Sequence, residues 1–365
     1  MNQTDLAKLL GISRPILVAI ENGQRAPTAT MLTTIATALD VRIRDLATLP
    51  AADEPSLVRF RDPLRTDESA RAGVDALIDF GRYYRMFESK TGSRFRSRAV
   101  PPLSLDELNG PHAAADLAAS ERARLNLGDG PLLDLHAVLE QDVGILIFGL
   151  TELRETKIAG LFTYSLDLPL VGFNVVQNDA RRQRWTLAHE YAHFLTNRYD
   201  AEITYEEPKA RDTKELFAER FATHFLMPSS GVSRRFKELI GVSESATVAH
   251  VVLLAGQFQV SFRAMCERLE ELERIPKHTY AHVVERGFKP LEAERSLGIE
   301  RKDESLPRYP QRYLRLMRLI WNKGAASEGD VATYLRTDRL SAREILGAFE
   351  TGKQLSVDRP LEGVV

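Results

Sequence analysis

Two histidines one helical turn apart give this sequence its clearest chemical signal. They are His189 and His193, in the segment RRQRWTLAHEYAHFLTNR. Residues at i and i+4 share one face of a helix, so two imidazoles placed this way can bind one metal ion at ~2.0–2.1 Å each. Glu190 follows the first histidine, which directs its carboxylate towards a metal-bound water rather than the metal. This arrangement predicts a zinc-peptidase site with Glu190 as general base.

A third ligand is expected from a later helix, in the segment TKELFAERFATHFLMP. We favour Glu215, because the small Ala218 three residues later allows close approach to the histidine helix. Glu219 is an alternative ligand, or a carboxylate that supports the site from outside the ligand set. His224 is a further candidate, as a ligand or an oxyanion donor, although a packing histidine is the more ordinary interpretation.

The amino-acid composition limits the classes of protein to which this chain can belong. The 365 residues are 44% hydrophobic and 27% charged, which predicts two or three globular domains and excludes a wholly disordered chain. The net charge of -2 shows no global basic excess for nucleic-acid binding. A single cysteine, Cys266, excludes an internal disulfide framework. The first residues lack the apolar core of a signal peptide and no long apolar run follows, so we expect a cytoplasmic protein without a membrane partner.

The hydrophobic pattern predicts an α+β fold that is predominantly helical. Two strands are expected in GLFTYSLDLPLVGFNVV, joined at Asp167–Leu168–Pro169. A small sheet is therefore expected ahead of a long helical region. Helices are predicted at 68–90, 113–126, 179–198, 213–226, 229–240, 247–258, 261–273 and 310–323, with two more after Gly324.

The strand at Val171–Val176 comes shortly before the predicted metal helix. We therefore predict that it is an exposed edge strand, to which a substrate backbone adds through main-chain hydrogen bonds. Asn174 would then project into the cleft or into the helix layer. The alternative is an internal strand, in which Asn174 is hydrogen-bonded within the fold.

The two motifs together, HEYAH and then ExxAxxFAxxFLMP at Glu215–Pro228, resemble the ImmA/IrrE family of zinc metallopeptidases. The resemblance covers about residues 112–275. It implies a zincin-like domain with a gluzincin-like site, in which His189, His193 and Glu215 hold one Zn²⁺ per chain and Glu190 is the base. It also implies limited cleavage of a protein substrate, typically an XRE-type transcriptional repressor, in stress response or mobile-element control. Glu219 departs from the family, which usually carries Asn or Asp at that position.

Residues 3–27 have the pattern of a helix-turn-helix. A first helix ends at Gly11, Ser13 caps a second, and Asn22-Gly23 stops it. The segment resembles the XRE/Cro-type repressor family, starting near the second helix of that fold, so the first helix is expected to be missing. The second helix is apolar at several positions where base-reading side chains are expected. This leaves Arg14, Gln24 and Arg25 for contact with DNA phosphates or a few bases, and a helical docking module is the alternative.

A second helix-turn-helix pattern, LLAGQFQVSFRAMCERLEEL, lies at 253–272. Its charged face mixes acidic and basic side chains, so a helical pair packed on the catalytic domain is the favoured interpretation. The predicted organisation is a helix-turn-helix segment at 1–50, a helical linker at 51–105, the peptidase domain at 106–275 and a helical domain at 276–365.

Three functions fit these patterns. The leading hypothesis is an intracellular zinc metalloendopeptidase that cleaves a regulatory protein. The first alternative is a DNA-binding transcription regulator whose metallopeptidase-like domain is a sensor or scaffold. The second is the toxin or antitoxin partner of a two-gene module. Both histidines and Glu190 are present, so nothing in the site residues indicates an inactive enzyme.

Overall fold

A computed structural model gives the fold of two compact units, Met1–Leu57 and Val58–Val365. The described residues are 3–21, 27–39, 68–94, 101, 103, 108, 110–176, 179–196, 198, 202–205, 213–241, 245–299 and 307–351.

The described residues of the N-terminal unit form the helices α1 (Gln3–Leu9), α2 (Arg14–Glu21) and α3 (Ala29–Leu39). Gly11 takes a left-handed conformation between the first two, with φ of +64°, as glycine readily does. Its core is made of Ala7, Leu17, Ile35 and Ala36. The turn lies where the sequence predicted it, whereas the predicted stop at Asn22-Gly23 lies outside the described residues.

The second unit contains a four-stranded sheet of β1 (Leu146–Leu150), β2 (Ile158–Ser165), β3 (Leu168–Asn174) and β4 (Glu202–Tyr205). The strand order is β1-β3-β2-β4. β3 is parallel to β1 and antiparallel to β2, and β4 is antiparallel to β2. The predicted edge position of the strand at 171–176 is therefore wrong. β3 pairs with β1 at Leu170–Asn174 and with β2 at Leu168–Phe173, so it is an internal strand.

The β2–β3 hairpin closes through Leu166 and Asp167, whose φ angles are +55° and +56°. Two consecutive positive φ values belong to a tight turn that matches the twist of the strands. The Arg85 guanidinium donates to both of these residues' carbonyls, at 2.8–3.1 Å. The turn thus lies just before the predicted junction, and Leu168 already belongs to β3.

Helices cover both faces of the sheet. α4 (Glu68–Thr91) packs on one face, and α6 (Ala180–Thr196) packs on the other. The strand side chains alternate between the two layers, as a period of two requires: Leu161 and Leu170 face the α4 side, while Phe162 and Val171 face the α6 side. Every residue of β1, β2 and β3 except the half-buried Tyr164 is buried, which fits the largely apolar sequence of these three strands.

The other helices complete the second unit and confirm the predicted fold class, α+β and predominantly helical. Among the described residues, no helix combines the length and apolarity needed to cross a membrane. α13, α14 and α15 share a hydrophobic cluster with α4 and the sheet, while the domain boundaries at 105/106 and 275/276 stay predictions. The bounds are α5 (Ala113–Arg124), a turn Leu135–Ala137 continuing as a π-helix Val138–Val143, α7 (Thr213–Leu226), α8 (Ser229–Ile240), α9 (Val248–Phe258), α10 (Phe262–Glu271), α11 (Thr279–Glu285), α12 (Pro290–Ser296), α13 (Gln311–Asn322), α14 (Glu328–Tyr334) and α15 (Arg339–Thr351).

Candidate metal centre

The helix α6 carries both histidines through the interior of the second unit. Every residue from Thr186 to Thr196 is buried, which requires the uncharged residues around the motif, because an unpaired buried charge is costly. His189 is 3% exposed, and Glu190 and His193 are fully buried. The sheet lies on one side of this helix and α7 packs against it on another.

The helix α7 presents Glu215 to the histidines because its apolar face packs on α6. Ala218, Phe221 and Phe225 are fully or almost fully buried on this face. The Tyr191 ring contacts the two phenylalanines edge-on, with centroids 5.8 Å and 5.5 Å away. Glu215 lies one turn before Ala218 on the same face, so the packing that buries the phenylalanines also directs the carboxylate at the histidine pair.

Three ligand atoms meet between these helices. His189 Nε2 and His193 Nε2 are 3.0 Å apart. Glu215 Oε2 is 3.2 Å from His189 Nε2, and Glu215 Oε1 is 3.4 Å from His193 Nε2. A tetrahedral zinc ion with bonds of about 2.0–2.1 Å separates its ligand atoms by about 3.3 Å. The triangle fits such an ion, and three protein ligands leave a fourth position for water or substrate, as in catalytic sites.

The charge on Glu215 suits a cation. Burial raises the pKa of this carboxyl, but hydrogen bonding to His189 and His193 outweighs burial and holds the pKa well below its ordinary range. The carboxylate is therefore ionised at neutral pH. Its side chain is 23% exposed, against 4% and 1% for the two histidines, so the site opens to solvent on the Glu215 side.

Glu190 lies against the sheet rather than among the three ligand atoms. A β-carbon at Gly160 of β2 would stand 2.7 Å from Glu190 Oε1 and 2.6 Å from Thr186 Cγ2. Only a glycine leaves room for the carboxylate at this point of the strand. The backbone of β2 thus fixes how far Glu190 can recede from the histidines.

Comparison with known families fits this geometry. Residues 162–270 match the IrrE N-terminal-like domain of peptidase family M78, a span that runs from the second half of β2, through the two helices of the candidate metal centre, almost to the end of α10. Residues 1–46 match the helix-turn-helix family. The chain carries an IrrE-like peptidase domain and an N-terminal helix-turn-helix domain. No curated protein matches the chain.

The remaining predicted residues lie outside the metal-ligand group of the IrrE-like domain. Among the described residues, that group contains His189, His193 and Glu215, without Glu219 or His224. His224 Nδ1 is 3.0 Å from the buried Arg268 guanidinium. Burial and the Arg268 charge lower the pKa of His224. His224 therefore packs against α10, in keeping with the more ordinary interpretation.

Asn174 is bound within the sheet layer. Its Nδ2 donates to the carbonyls of Leu153 at 2.6 Å and Ile158 at 3.1 Å, and its Oδ1 accepts from the Val176 amide. The substrate role predicted for Asn174 is replaced by the alternative, an internal strand. Of the DNA-contact candidates, Arg14 is the exposed first residue of α2, whereas Gln24 and Arg25 lie outside the described residues.

Two supporting networks were not predicted from the sequence. Tyr191 donates its hydroxyl to Glu121 of α5, and Arg124 donates to the same carboxylate at 2.6 Å. The neighbouring Arg122 donates to the carbonyl of Phe225 at 2.6 Å. α5 therefore holds α6 and α7, the two helices of the candidate metal centre, in place. The signal in the sequence was the tyrosine inside the motif, because a buried tyrosine hydroxyl requires a partner.

The α9–α10 pair is part of the peptidase core, as the favoured interpretation of its pattern predicted. Arg268 is 1% exposed and donates to Met227 O at 3.0 Å, to Ser229 Oγ at 2.8 Å and to Glu271 at 2.6 Å. It thus ties α10 to the end of α7. Cys266 on the same helix is fully buried, and burial raises the pKa of its thiol to about 12.

Proposed function

We propose that the chain is a zinc-dependent metalloendopeptidase of the cytoplasm that cleaves a regulatory protein, most simply an XRE-type repressor. The observation that carries this proposal is the ligand triangle of His189, His193 and Glu215 beside the buried carboxylate of Glu190. The match to an IrrE-like peptidase domain supports the reaction class. The helix-turn-helix domain supports a target in transcriptional control.

In the proposed reaction, zinc when bound supplies a Lewis acid that polarises the scissile carbonyl and lowers the pKa of water. Glu190 accepts a proton from the attacking water, whose oxygen bonds to the carbonyl carbon. The carboxyl group then delivers that proton to the nitrogen of the leaving amine as the C–N bond breaks.

We further propose that the substrate adds to the sheet at β4, which ends the strand order on the side of β2. β2 carries Gly160 against Glu190, and Thr204 of β4 pairs with Gly160. A proline scan through Glu202–Tyr205 tests this, because proline removes a backbone donor. We expect at least one variant to retain zinc and lose cleavage; parental cleavage by all four zinc-loaded variants contradicts the docking site.

A transcription regulator with a non-catalytic peptidase-like domain is the second candidate, favoured by the helix-turn-helix match. The two candidates differ in what Glu190→Gln does. We would incubate zinc-loaded parent and variant with the source proteome and map new N-termini by mass spectrometry. A few cleavages in XRE-type proteins, made by the parent alone, support the proposal. Identical N-termini with both proteins, at full zinc occupancy, contradict the peptidase and favour the regulator.

A further inference from the structure

The α14–α15 pair near the C-terminus is joined by a four-residue turn, Leu335–Asp338. Arg336 takes a left-handed conformation, with φ of +46°. The Thr337 amide donates back to Ala332 O at 3.0 Å, and the Ala342 amide donates to Asp338 O at 3.0 Å. The Asp338 side chain also accepts from the Ser341 amide, at 2.9 Å. The turn therefore ends one helix and caps the next within four residues.

This turn shares two backbone hydrogen bonds and the left-handed residue with the turn in the N-terminal helix-turn-helix domain. There Gly11 is left-handed, Ile12 N donates to Ala7 O at 3.0 Å and Leu17 N donates to Ser13 O at 3.1 Å. Ala7 and Ala332 occupy the same place in the first helix of each pair, and both are buried. The segment 327–347 is thus a helix-turn-helix unit by its geometry.

The α9–α10 pair has the same turn, with Gln259 left-handed and Val260 N donating to Ala255 O at 3.0 Å. Its second helix, however, is used for packing: Phe262, the first helical residue, is 3% exposed, and Met265 is fully buried. In α15 the equivalent first residue, Arg339, is exposed. The α9–α10 and α14–α15 pairs therefore share a turn. They differ in that the first residue of the second helix is buried in α10 and exposed in α15.

The exposed face of α15 carries the side chains that a recognition helix needs. Arg339 and Arg343 are exposed near its start, where the Arg339 guanidinium lies close to Gly329 of α14, while Ala342 and Leu346 are buried beneath the helix. Residues at the start of the second helix contact base edges in helix-turn-helix complexes, and arginine is the commonest reader of guanine. Arg343 is 70% exposed and lies 3.0 Å from Glu328, a surface pair that contributes little and exchanges readily.

The preceding helix, α13, adds a basic face. It contains no Asp or Glu, and it buries its apolar residues Tyr313, Leu316, Met317 and Ile320. Arg315 and Arg318 lie on the opposite, exposed face, followed by exposed Lys323. Residues 311–347 hold seven Lys and Arg against four Asp and Glu, while the whole chain has a net charge of -2. Two of the seven are paired with acids outside the segment, Arg312 with Glu88 and Arg336 with Asp79 and Glu152. Positive charge is thus concentrated in this segment.

We propose that residues 311–347 bind duplex DNA, with α15 in the major groove and the α13 arginines on phosphates. Two of the four acids, Asp330 and Asp338, cap helix starts through backbone amides, so they are committed to the fold. Glu344 is the exposed acid that remains on α15. Within the described part of 311–347, the large apolar side chains exposed by more than a third are Leu319 and Leu340, too few for a protein-binding patch.

The test uses the full chain and a mixed-sequence DNA duplex of about 30 bp, with binding followed by fluorescence anisotropy across a salt series. The test variant combines Arg315→Ala, Arg318→Ala and Arg339→Ala. The control variant removes the same charge elsewhere, as Arg82→Ala, Arg234→Ala and Arg263→Ala, whose side chains are 51–66% exposed. Each phosphate contact contributes about 0.9 to the slope of log K against log salt.

We expect the test variant to lower this slope by about 2 to 3 and the control by less than about 0.5. Circular dichroism should show the same fold in all three proteins, since every substituted side chain is at the surface. No duplex binding by the parent, or equal loss in both variants, overturns the proposal. A third result also overturns it: the test variant binds DNA as the parent does but loses a self-association that sedimentation shows for the parent. The exposed face of residues 311–347 is then a protein interface.

Discussion

Replacing Gly160 by alanine probes how closely the sheet positions the Glu190 carboxylate. The new β-carbon would stand 2.7 Å from Glu190 Oε1, whereas ordinary contacts begin near 3.4 Å. The carboxylate or the strand must therefore move by about 0.7 Å. A misplacement of about 1 Å can reduce a rate by about 10²-fold. We therefore expect kcat to fall by about 10- to 100-fold, which corresponds to roughly 1.4–2.7 kcal/mol in the activation barrier.

The measurement is kcat and KM on a substrate protein identified by its new N-terminus, together with zinc content. Gly160→Ala should retain about one zinc per chain, because its β-carbon contacts Glu190 and Thr186 rather than the ligand atoms. Gly149→Ala is the matched control, since its β-carbon crowds Val175 at 2.7 Å in the same sheet. We expect that control to lower the melting temperature while keeping parental kcat. A parental kcat for zinc-loaded Gly160→Ala refutes the positioning argument.

Three further predictions concern the ligand set and the core. Glu215→Ala should weaken zinc binding in a competition titration by more than the 10–100-fold that is typical of residues outside the ligand set. Glu219→Ala should weaken it much less, because Glu219 lies about 6 Å farther along α7. The reverse order of the two affinities would give the ligand role to Glu219. Arg268→Met should lower the free energy of unfolding in urea by roughly 2–4 kcal/mol, and a change below about 0.5 kcal/mol contradicts its role in joining α10 to α7. The buried Cys266 thiol, with its pKa raised to about 12 by burial, should react with Ellman's reagent at pH 8 only after unfolding; immediate labelling of the native protein contradicts this.

The grouping of His189, His193 and Glu215 was predictable because its signal is local. The histidine spacing and the position of Glu215 before Ala218 each need one helical period to interpret. Both side chains then meet because two apolar helix faces pack together. The helix-turn-helix at the N-terminus was equally predictable from the sequence, because a glycine, Gly11, occupies the left-handed position of the turn.

Strand pairing was not predictable in the same way. The strand β3, Leu168–Asn174, is buried on both faces, and such an apolar run fits an interior strand as well as an edge strand. Its neighbours in the sheet are β1 and β2. No local sequence pattern says which strands will pair. Gly160 is a related case: a glycine inside a strand indicates a close approach, but the sequence does not say that Glu190 is the group that approaches.

The third helix-turn-helix unit was missed for a chemical reason. Its left-handed position holds Arg336 instead of glycine, so the usual signature of the turn is absent. The strain of a non-glycine residue there is about 1–2 kcal/mol. Arg336 is held in place by Asp79 at 2.9 Å and Glu152 at 3.0 Å, contacts between residues far apart in the sequence. Only the folded chain brings these acids to the turn.

The most direct test of the central claim combines metal content with cleavage for a single substitution, Glu190→Gln. The glutamine keeps the shape of the side chain but cannot accept a proton from water. The account predicts about one zinc per chain in both proteins and cleavage of the substrate by the parent alone. Parental cleavage by the zinc-loaded Glu190→Gln protein would contradict the proposed role of Glu190 as the base.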